Sequence, residues 1–539
     1  MVSPPTPHTV ESSLAIAVVE RLAVSRPALH GLALSSCIVS GIIGCQVDAG
    51  NGGRTAAYRM SDADQTIHAK DCGGRGGRVE GGSGSDRLYG GSGPDELIGA
   101  GKGDLLDGGP GEDLLDGGPG PDLLNGGPDN DALNGGAGSD YYVVQAYHGH
   151  DVIDDPEGSH DRLTLADIHP DEVLRTTDGN DLVLTFPGGS VRIVDYEGRG
   201  AIELIDYEWG QTPFESPDYG IYWFGKGDER TKYIPTVDNP NFDPSKPIIL
   251  LAHGWQAGAI SRREEHGLNF KGSQGPDIDL ADAWIDAGWN VGLFNWQNFA
   301  DEDGVKDAEG KIWSAQGNDG DGMRWRSADG SLNDWPFDFS VGQLAHGSLV
   351  AGLLEANAPT VRLAGHSLGN QVATAIASGL LANVQQEEVS SRMLPERVSL
   401  LDPFWSGGGK GYLDGQTTGA RVHQLVGGLL DAGVAVDAYR SSALSSPPLG
   451  DTNKGLMDDV CLVELRPRYF RPGQQALKHI AGFWHYLLGF QFPTTLGGEE
   501  VPTAVAPVSV LEACIDGDDR WRQDEGTETK TPQDDTYQR

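Results

Sequence analysis

From Gly81 to Val143 the chain repeats a nine-residue unit seven times without slipping phase, and that repeat restricts the fold more tightly than anything else in the sequence. The units are GGSGSDRLY, GGSGPDELI, GAGKGDLLD, GGPGEDLLD, GGPGPDLLN, GGPDNDALN and GGAGSDYYV. The sixth place is aspartate every time: Asp86, Asp95, Asp104, Asp113, Asp122, Asp131 and Asp140. The eighth is apolar or aromatic, from Leu88, Leu97 and Leu106 onward. Glycines allow the tight turns, aspartate offers hard oxygen, and the eighth side chain is spaced to stack inside a narrow solenoid. One unit buries nothing alone, so stability must come from stacking and from bound cations. Residues 81–143 hold 12 acidic and 2 basic side chains. Calcium, bound by aspartates and backbone carbonyls of neighbouring turns, is the natural counter-charge.

These units resemble the RTX, or haemolysin-type, calcium-binding repeats. The resemblance implies a parallel β-roll over 81–143 with structural Ca2+ at the seven aspartates. It continues into a β-rich module at 144–211. There, alternation in Asp181-Leu182-Val183-Leu184-Thr185-Phe186 predicts a strand. SVRIVDYEG and AIELIDYEWG read as two more, with turns at Asp178-Gly179-Asn180 and Pro187-Gly188-Gly189. In that family the repeats usually lie near the C-terminus of proteins exported in one step. Here they precede a larger domain, which favours a structural or surface-presenting role over a secretion signal.

A second constraint lies at Val361–Asn370, VRLAGHSLGN. It reads as a buried strand, a sharp turn holding Ser367, and a helix, NQVATAIASGLL. The G-x-S-x-G pattern is a weak sign by itself in a chain with 78 glycines. Context strengthens it. Pro247–Ala252 is a wholly apolar run that leads into His253-Gly254-Trp255, as a central parallel strand would. DIDLADAWIDAG, WNVGLFNW, VGQLAHGSLVAGLLEAN and RVSLLDPFW then alternate helix and strand around the serine. That alternation predicts a doubly wound sheet over 216–492, with Ser367 at the C-terminal end of its strand, where such sheets place sites.

The HGW, GHSLG and LLDP constellation resembles the α/β-hydrolase fold, and within it the family that includes lipoprotein and pancreatic lipases. The resemblance implies Ser367 as nucleophile, Asp402 as the acid and His479, in ALKHIAGFWHYLLGF, as the base. It also implies that the Trp255 and Leu368 amides bind the oxyanion. The order Ser, Asp, His suits the fold. A serine hydroxyl needs an imidazole to remove its proton and a carboxylate to hold that imidazole. Asp437 competes with Asp402 for the acid, and His485, His423 and His366 are the rival histidines. A lid or substrate-binding insertion is expected between Asp402 and His479, at 405–425 or 443–459.

Ahead of the repeats, residues 1–45 read as an export signal. The apolar stretch Ala28–Gly44 follows Arg21 and Arg26, and it ends in a lipobox-like Ile42-Ile43-Gly44-Cys45. The long polar start suggests that translation begins near Val24. Cys45 is the expected lipidation site, which allows membrane anchoring. Residues 46–80 read as a flexible linker, and 498–539 as an acidic, disordered tail. Cys461 and Cys514 are candidates for a disulfide. A net charge of −40 argues against nucleic-acid partners and anionic membrane surfaces.

The expected molecule is therefore multidomain: a calcium-binding β-roll followed by an α/β-hydrolase. It is exported, either lipid-anchored at the cell surface or secreted, and cleaves ester or lipid substrates through an acyl-enzyme. Two other readings stay open: a surface-binding or adhesion protein whose hydrolase is inactive, and a serine acyl hydrolase of another kind, such as a phospholipase, polyesterase or peptidase.

Overall fold

A computed structural model describes residues 63–68 and 77–538, apart from short stretches at 200–201, 209–216, 261–266, 270–274, 321, 448–449, 493–494, 497–498, 501–503, 505, 517–519 and 533–534. The backbone of two further short strands, at 46–47 and 56–58, is also described. The export signal and Cys45 lie outside the described residues. The chain forms two compact units, one within residues 1–210 and one of residues 211–386 and 391–539.

In the first unit successive short strands fall alternately into two parallel sheets. Leu88 pairs with Leu106, Leu106 with Leu124 and Leu124 with Tyr142 in one; Leu97 pairs with Leu115 and Leu115 with Leu133 in the other. The register advances by eighteen residues, so two nonapeptides make one turn of a roll. The eighth-place side chains Leu88, Leu97, Leu106, Leu115, Leu124, Leu133 and Tyr142 form a single internal file, none more than 1 % exposed. The buried eighth-place side chain of a unit contributes ~2 kcal/mol, less than the entropy lost in ordering the nine residues around it. The roll therefore depends on something besides apolar contact.

Two boundaries differ from expectation. Thr66–His68 and Arg78–Glu80, inside the expected linker, are strands of the roll. Ile67 pairs with Leu88 and Val79 with Leu97, extending the apolar file. Nor is 144–211 a separate module, because the parallel pairing runs on through Arg162–Ala166 and Leu204–Glu208. Leu174–Asp178, Asp181–Phe186 and Gly189–Ile193 form antiparallel hairpins that join the roll's other sheet through Gly149–Ile153.

The second unit is built on a ten-stranded sheet. Its strands, in chain order, are β1 (Gly220–Phe224), β2 (Arg230–Lys232), β3 (Ile248–Ala252), β4 (Asn290–Asn295), β5 (Val361–His366), β6 (Arg397–Leu401), β7 (Ala435–Arg440), β8 (Cys461–Glu464), β9 (Arg520–Glu525) and β10 (Thr536–Gln538). Their spatial order is β2-β1-β4-β3-β5-β6-β7-β8-β9-β10, parallel from β4 to β9. The helices used below are α1 (Asp282–Asp286), α2 (Val305–Trp313), α3 (Val341–Glu355), α4 (Gly369–Gln385), α5 (Thr418–Asp431), α6 (Gln475–Leu488) and α7 (Val508–Asp516). Ser340 starts α3 with a capping box closed by Gln343. Side chains from α1, α6 and α7 share one core with Ile249, Leu251, Ala364 and Tyr439. Helices α3, α4 and α5 lie outside that core and pack on the sheet. Strand β3, all five residues buried, sits in the middle as a fully covered parallel strand should.

The 498–539 segment corrects the expectation of disorder. It supplies α7, β9 and β10, and Cys514 on α7 is bonded to Cys461 on β8. Its acidic composition conceals a strand alternation, in which Trp521 and Gln523 are buried while Arg520 and Arg522 face solvent. The domain expected at 216–492 thus continues to the last described residues. Among the described residues no helix is long and apolar enough to cross a membrane.

Candidate active site and calcium ladder

The chain passes from β3 to β4 on one side and later returns as β5 on the other side of β3. The strand order thus reverses at β3, and the residues that follow β3 and β5 meet at the strands' C-terminal ends, where such sheets place sites. Ser367 follows β5 directly, with φ of +58°, a left-handed conformation that is strained for a side-chain-bearing residue. The turn closes only because its neighbours are glycine. A Cβ on Gly254 would stand 2.6 Å from Ser367 Cβ, and one on Gly369 would strike the Ala252 and His253 carbonyls.

Asp402, one residue past β6 and itself at φ +40°, is 1 % exposed. Its Oδ2 lies 2.8 Å from His479 Nδ1, near the start of α6. The Ser441 backbone N–H donates to Asp402 Oδ1 (3.2 Å) and the Ser441 hydroxyl to Oδ2 (3.1 Å). Burial pushes this carboxyl up, but the adjacent His479 and the hydrogen bonds outweigh it and hold Asp402 below the usual range. The Ser442 hydroxyl lies 3.4 Å from His479 Nδ1. His366, beside the serine, places Nε2 3.0 Å from the His479 carbonyl, and the two imidazole centroids are 4.7 Å apart. Burial, and then the charge of His479, push His366 down to about 3, so it stays neutral.

The sequence therefore names an Asp402–His479 pair that the fold forms. Among the described residues no hydrogen bond joins Ser367 Oγ to His479, a contact that commonly tightens only when substrate is seated. The Trp255 and Leu368 amides donate to no other group among the described residues. Leu368 is the N-cap of the seventeen-residue α4, where free N–H groups favour negative charge.

The rivals are occupied elsewhere. Asp437 forms a fully buried ion pair with Arg397 at 2.6 Å and accepts from Ser399. His485 meets Asp535, His423 meets Asp459, and neither touches Asp402. The expected insertion at 405–425 is pinned. Buried Glu309 of α2 accepts from the Ser406 N–H (3.0 Å) and the Thr418 hydroxyl (2.8 Å), and pairs with Lys410 at 3.2 Å. Ser441 and Ser442 escaped the sequence reading because nothing marks two serines after a strand. Only the alignment of β7 beside β6 brings them to Asp402.

In the roll the seven aspartates form a ladder. The backbone N–H of Asp86 donates to Asp104 Oδ1, Asp95 to Asp113, Asp104 to Asp122, Asp113 to Asp131 and Asp122 to Asp140, at 2.6–2.8 Å. All seven are buried. Oδ2 of Asp104, Asp113, Asp122, Asp131 and Asp140 has no hydrogen-bond partner. At Gly99, Gly108 and Gly117 the glycine cradle of that oxygen also holds a carbonyl from the next turn, as Gly126 O lies with Asp113 Oδ2 at Gly108. Buried, unpartnered carboxylate oxygens with backbone carbonyls beside them are a donor set that calcium takes, so the residues fit the ion. Without it, burial pushes Asp113 up to about 7 and Asp131 to about 9. The ladder also runs past the strict period: Asp131 donates to Asp151 and Asp140 to Asp161. The Asp-x-Leu/Ile pattern persists there, but the spacing lengthens, and so a nine-residue search misses it.

The family profile of the RTX calcium-binding nonapeptide repeat (4 copies) matches residues 73–106, 80–114 and 107–142. A protein described as "Hemolysin, plasmid" from Escherichia coli is 36 % identical over 114 residues, 21 % of this chain. The match spans only 9 % of that relative's own length. This chain therefore carries RTX repeats, which bind Ca2+ structurally.

Proposed function

We propose that the second unit is a serine hydrolase of α/β-hydrolase type that cleaves carboxylic esters, with lipids as the substrate class. One observation carries the reading: a serine strained to positive φ at the end of a central parallel strand, beside a buried Asp–His pair. In this reading Ser367 Oγ attacks the ester carbonyl carbon while His479 Nε2 takes its proton, and Asp402 holds the ring through Nδ1. The Trp255 and Leu368 amides receive the oxyanion. The intermediate collapses to an acyl-serine, and the alcohol leaves with the proton from His479. Water, deprotonated by His479, then releases the acid and restores the serine. Calcium folds the roll and takes no part in these steps.

Export is part of the same proposal. A disulfide between Cys461 and Cys514 persists in an oxidising compartment, and an acylated Cys45 would hold the chain at a membrane.

Hydrolysis of p-nitrophenyl esters of increasing acyl length, by wild type and Ser367→Ala, tests the proposal. Turnover abolished in Ser367→Ala and rising with chain length is the expected result. No turnover from folded protein, with or without calcium, would overturn it in favour of a calcium-dependent surface-binding role.

A further inference from the structure

His253, the first residue after β3, is buried and takes no part in the proton transfers proposed above, yet both of its ring nitrogens are engaged. The Trp296 backbone N–H, one residue past β4, can only donate, and it meets His253 Nε2 at 3.1 Å. In a neutral ring the proton then sits on Nδ1. Nδ1 lies 2.9 Å from the Gly254 carbonyl oxygen and donates to it. Burial pushes His253 down to about 4, so the ring is neutral at physiological pH. The Trp296 indole also donates from Nε1 to the His253 carbonyl at 2.8 Å, and its ring stacks on the imidazole with centroids 5.4 Å apart. The residue that ends β4 thus sets the position and the tautomer of this histidine.

The carbonyl that His253 holds belongs to the peptide beside the nucleophile. A Cβ on Gly254 would stand 3.1 Å from Ser367 Oγ. The other half of the same peptide is the Trp255 N–H, which donates to no group among the described residues. In a trans peptide the C=O and N–H point to opposite sides of one plane. Holding the Gly254 carbonyl against the imidazole therefore fixes the direction of the Trp255 N–H. A peptide turned the other way would aim a carbonyl at the place where negative charge develops, and repulsion would replace stabilisation.

We propose that His253 is a positioning residue for the oxyanion site: through Nδ1–H it holds the Gly254 carbonyl, and so aims the Trp255 N–H at the oxygen of the attacked ester. The inference rests on the hydrolase reading above and adds to it a residue that touches neither the substrate nor the reacting atoms.

Ester turnover, the affinity of an alkyl boronic acid and urea denaturation, measured on three variants of the full chain, test this. His253→Asn keeps an amide N–H at the reach of Nδ1. His253→Gln keeps an amide oxygen at the reach of Nε2, and so a partner for Trp296, but places no donor at Gly254. His253→Phe keeps a ring and loses both nitrogens. Per folded molecule, His253→Gln and His253→Phe are expected to lower kcat about 10²–10³-fold, the loss of one oxyanion donor, with KM near wild type. Boronate affinity should fall by a similar factor, because its tetrahedral adduct on Ser367 carries the same negative oxygen. His253→Asn should recover most of that loss. If His253→Phe does not fold, the Asn and Gln pair decides the matter. Equal losses in that pair, or a kcat in His253→Gln matching wild type, would overturn the inference, as would a raised KM with boronate affinity unchanged. A wild type that neither turns over esters nor is labelled at Ser367 by an alkyl fluorophosphonate would sink the hydrolase reading itself, and this inference with it.

Discussion

Asp402, one residue past β6, and Asp437, inside β7, lie on neighbouring strands and differ in what their oxygens meet. Asp402 faces His479 and Ser441, whereas Asp437 is enclosed by Arg397 and Ser399. The two should therefore fail in different ways. Asp402→Asn is expected to lower kcat about 10³–10⁴-fold, because the imidazole loses the partner that sets its tautomer, with little change in the denaturation midpoint. Asp437→Asn leaves the Arg397 guanidinium buried without its counter-charge and should cost about 3–5 kcal/mol of stability. The kcat per folded molecule should then stay near wild type. Urea titration and ester turnover, run on both variants, separate the two outcomes. At this scale the sequence marks Ser367, Asp402 and His479 through their motifs. It is silent on Ser441, Ser442 and the ring contact of His366, since these depend on which strands lie side by side.

Among the elements, the roll was the most legible, because its period is written into the chain. The position of its oxygens makes a pH prediction. In the metal-free roll Asp113 is pushed up to about 7 and Asp131 to about 9, against an unfolded value of 3.8. The native state then holds protons that the unfolded chain has released. Its stability is complete below about pH 4 and falls as pH rises through 7 and 9. Thermal melts of the first unit under chelator should therefore drop between pH 4 and pH 9. Saturating calcium should reverse this trend at neutral pH, because the ion binds the ionised carboxylates. A melting temperature that rises with pH under chelator would contradict the assignment. The C-terminal strands were the least legible element. In Arg520–Glu525 only two side chains turn inward, and the surrounding charge looks like a solvated tail until β8 is seen beside it.

Over the whole molecule, two kinds of reinforcement act on two units. Calcium stiffens the first, and the Cys461–Cys514 bond closes a loop of 53 residues in the second, worth about 4 kcal/mol by loop-closure entropy. Chelation should thus melt the roll's secondary structure and leave Ser367-dependent turnover in place, as circular dichroism and ester assays in parallel would show. Reduction, or Cys514→Ser, should lower the stability of the second unit and leave calcium binding unchanged. What the sequence by itself determined is whatever is carried by local period and spacing: the eighteen-residue turn of the roll, the elbow around Ser367 and the alternation of strand and helix. Tertiary structure decided the rest. It set where the roll starts and ends, turned the acidic tail into β9 and β10, gave Asp437 to Arg397, and pinned 405–418 on Glu309. Each of those depends on a partner distant in the chain, and local pattern carries no record of which distant side chain will share a buried charge or an open strand edge.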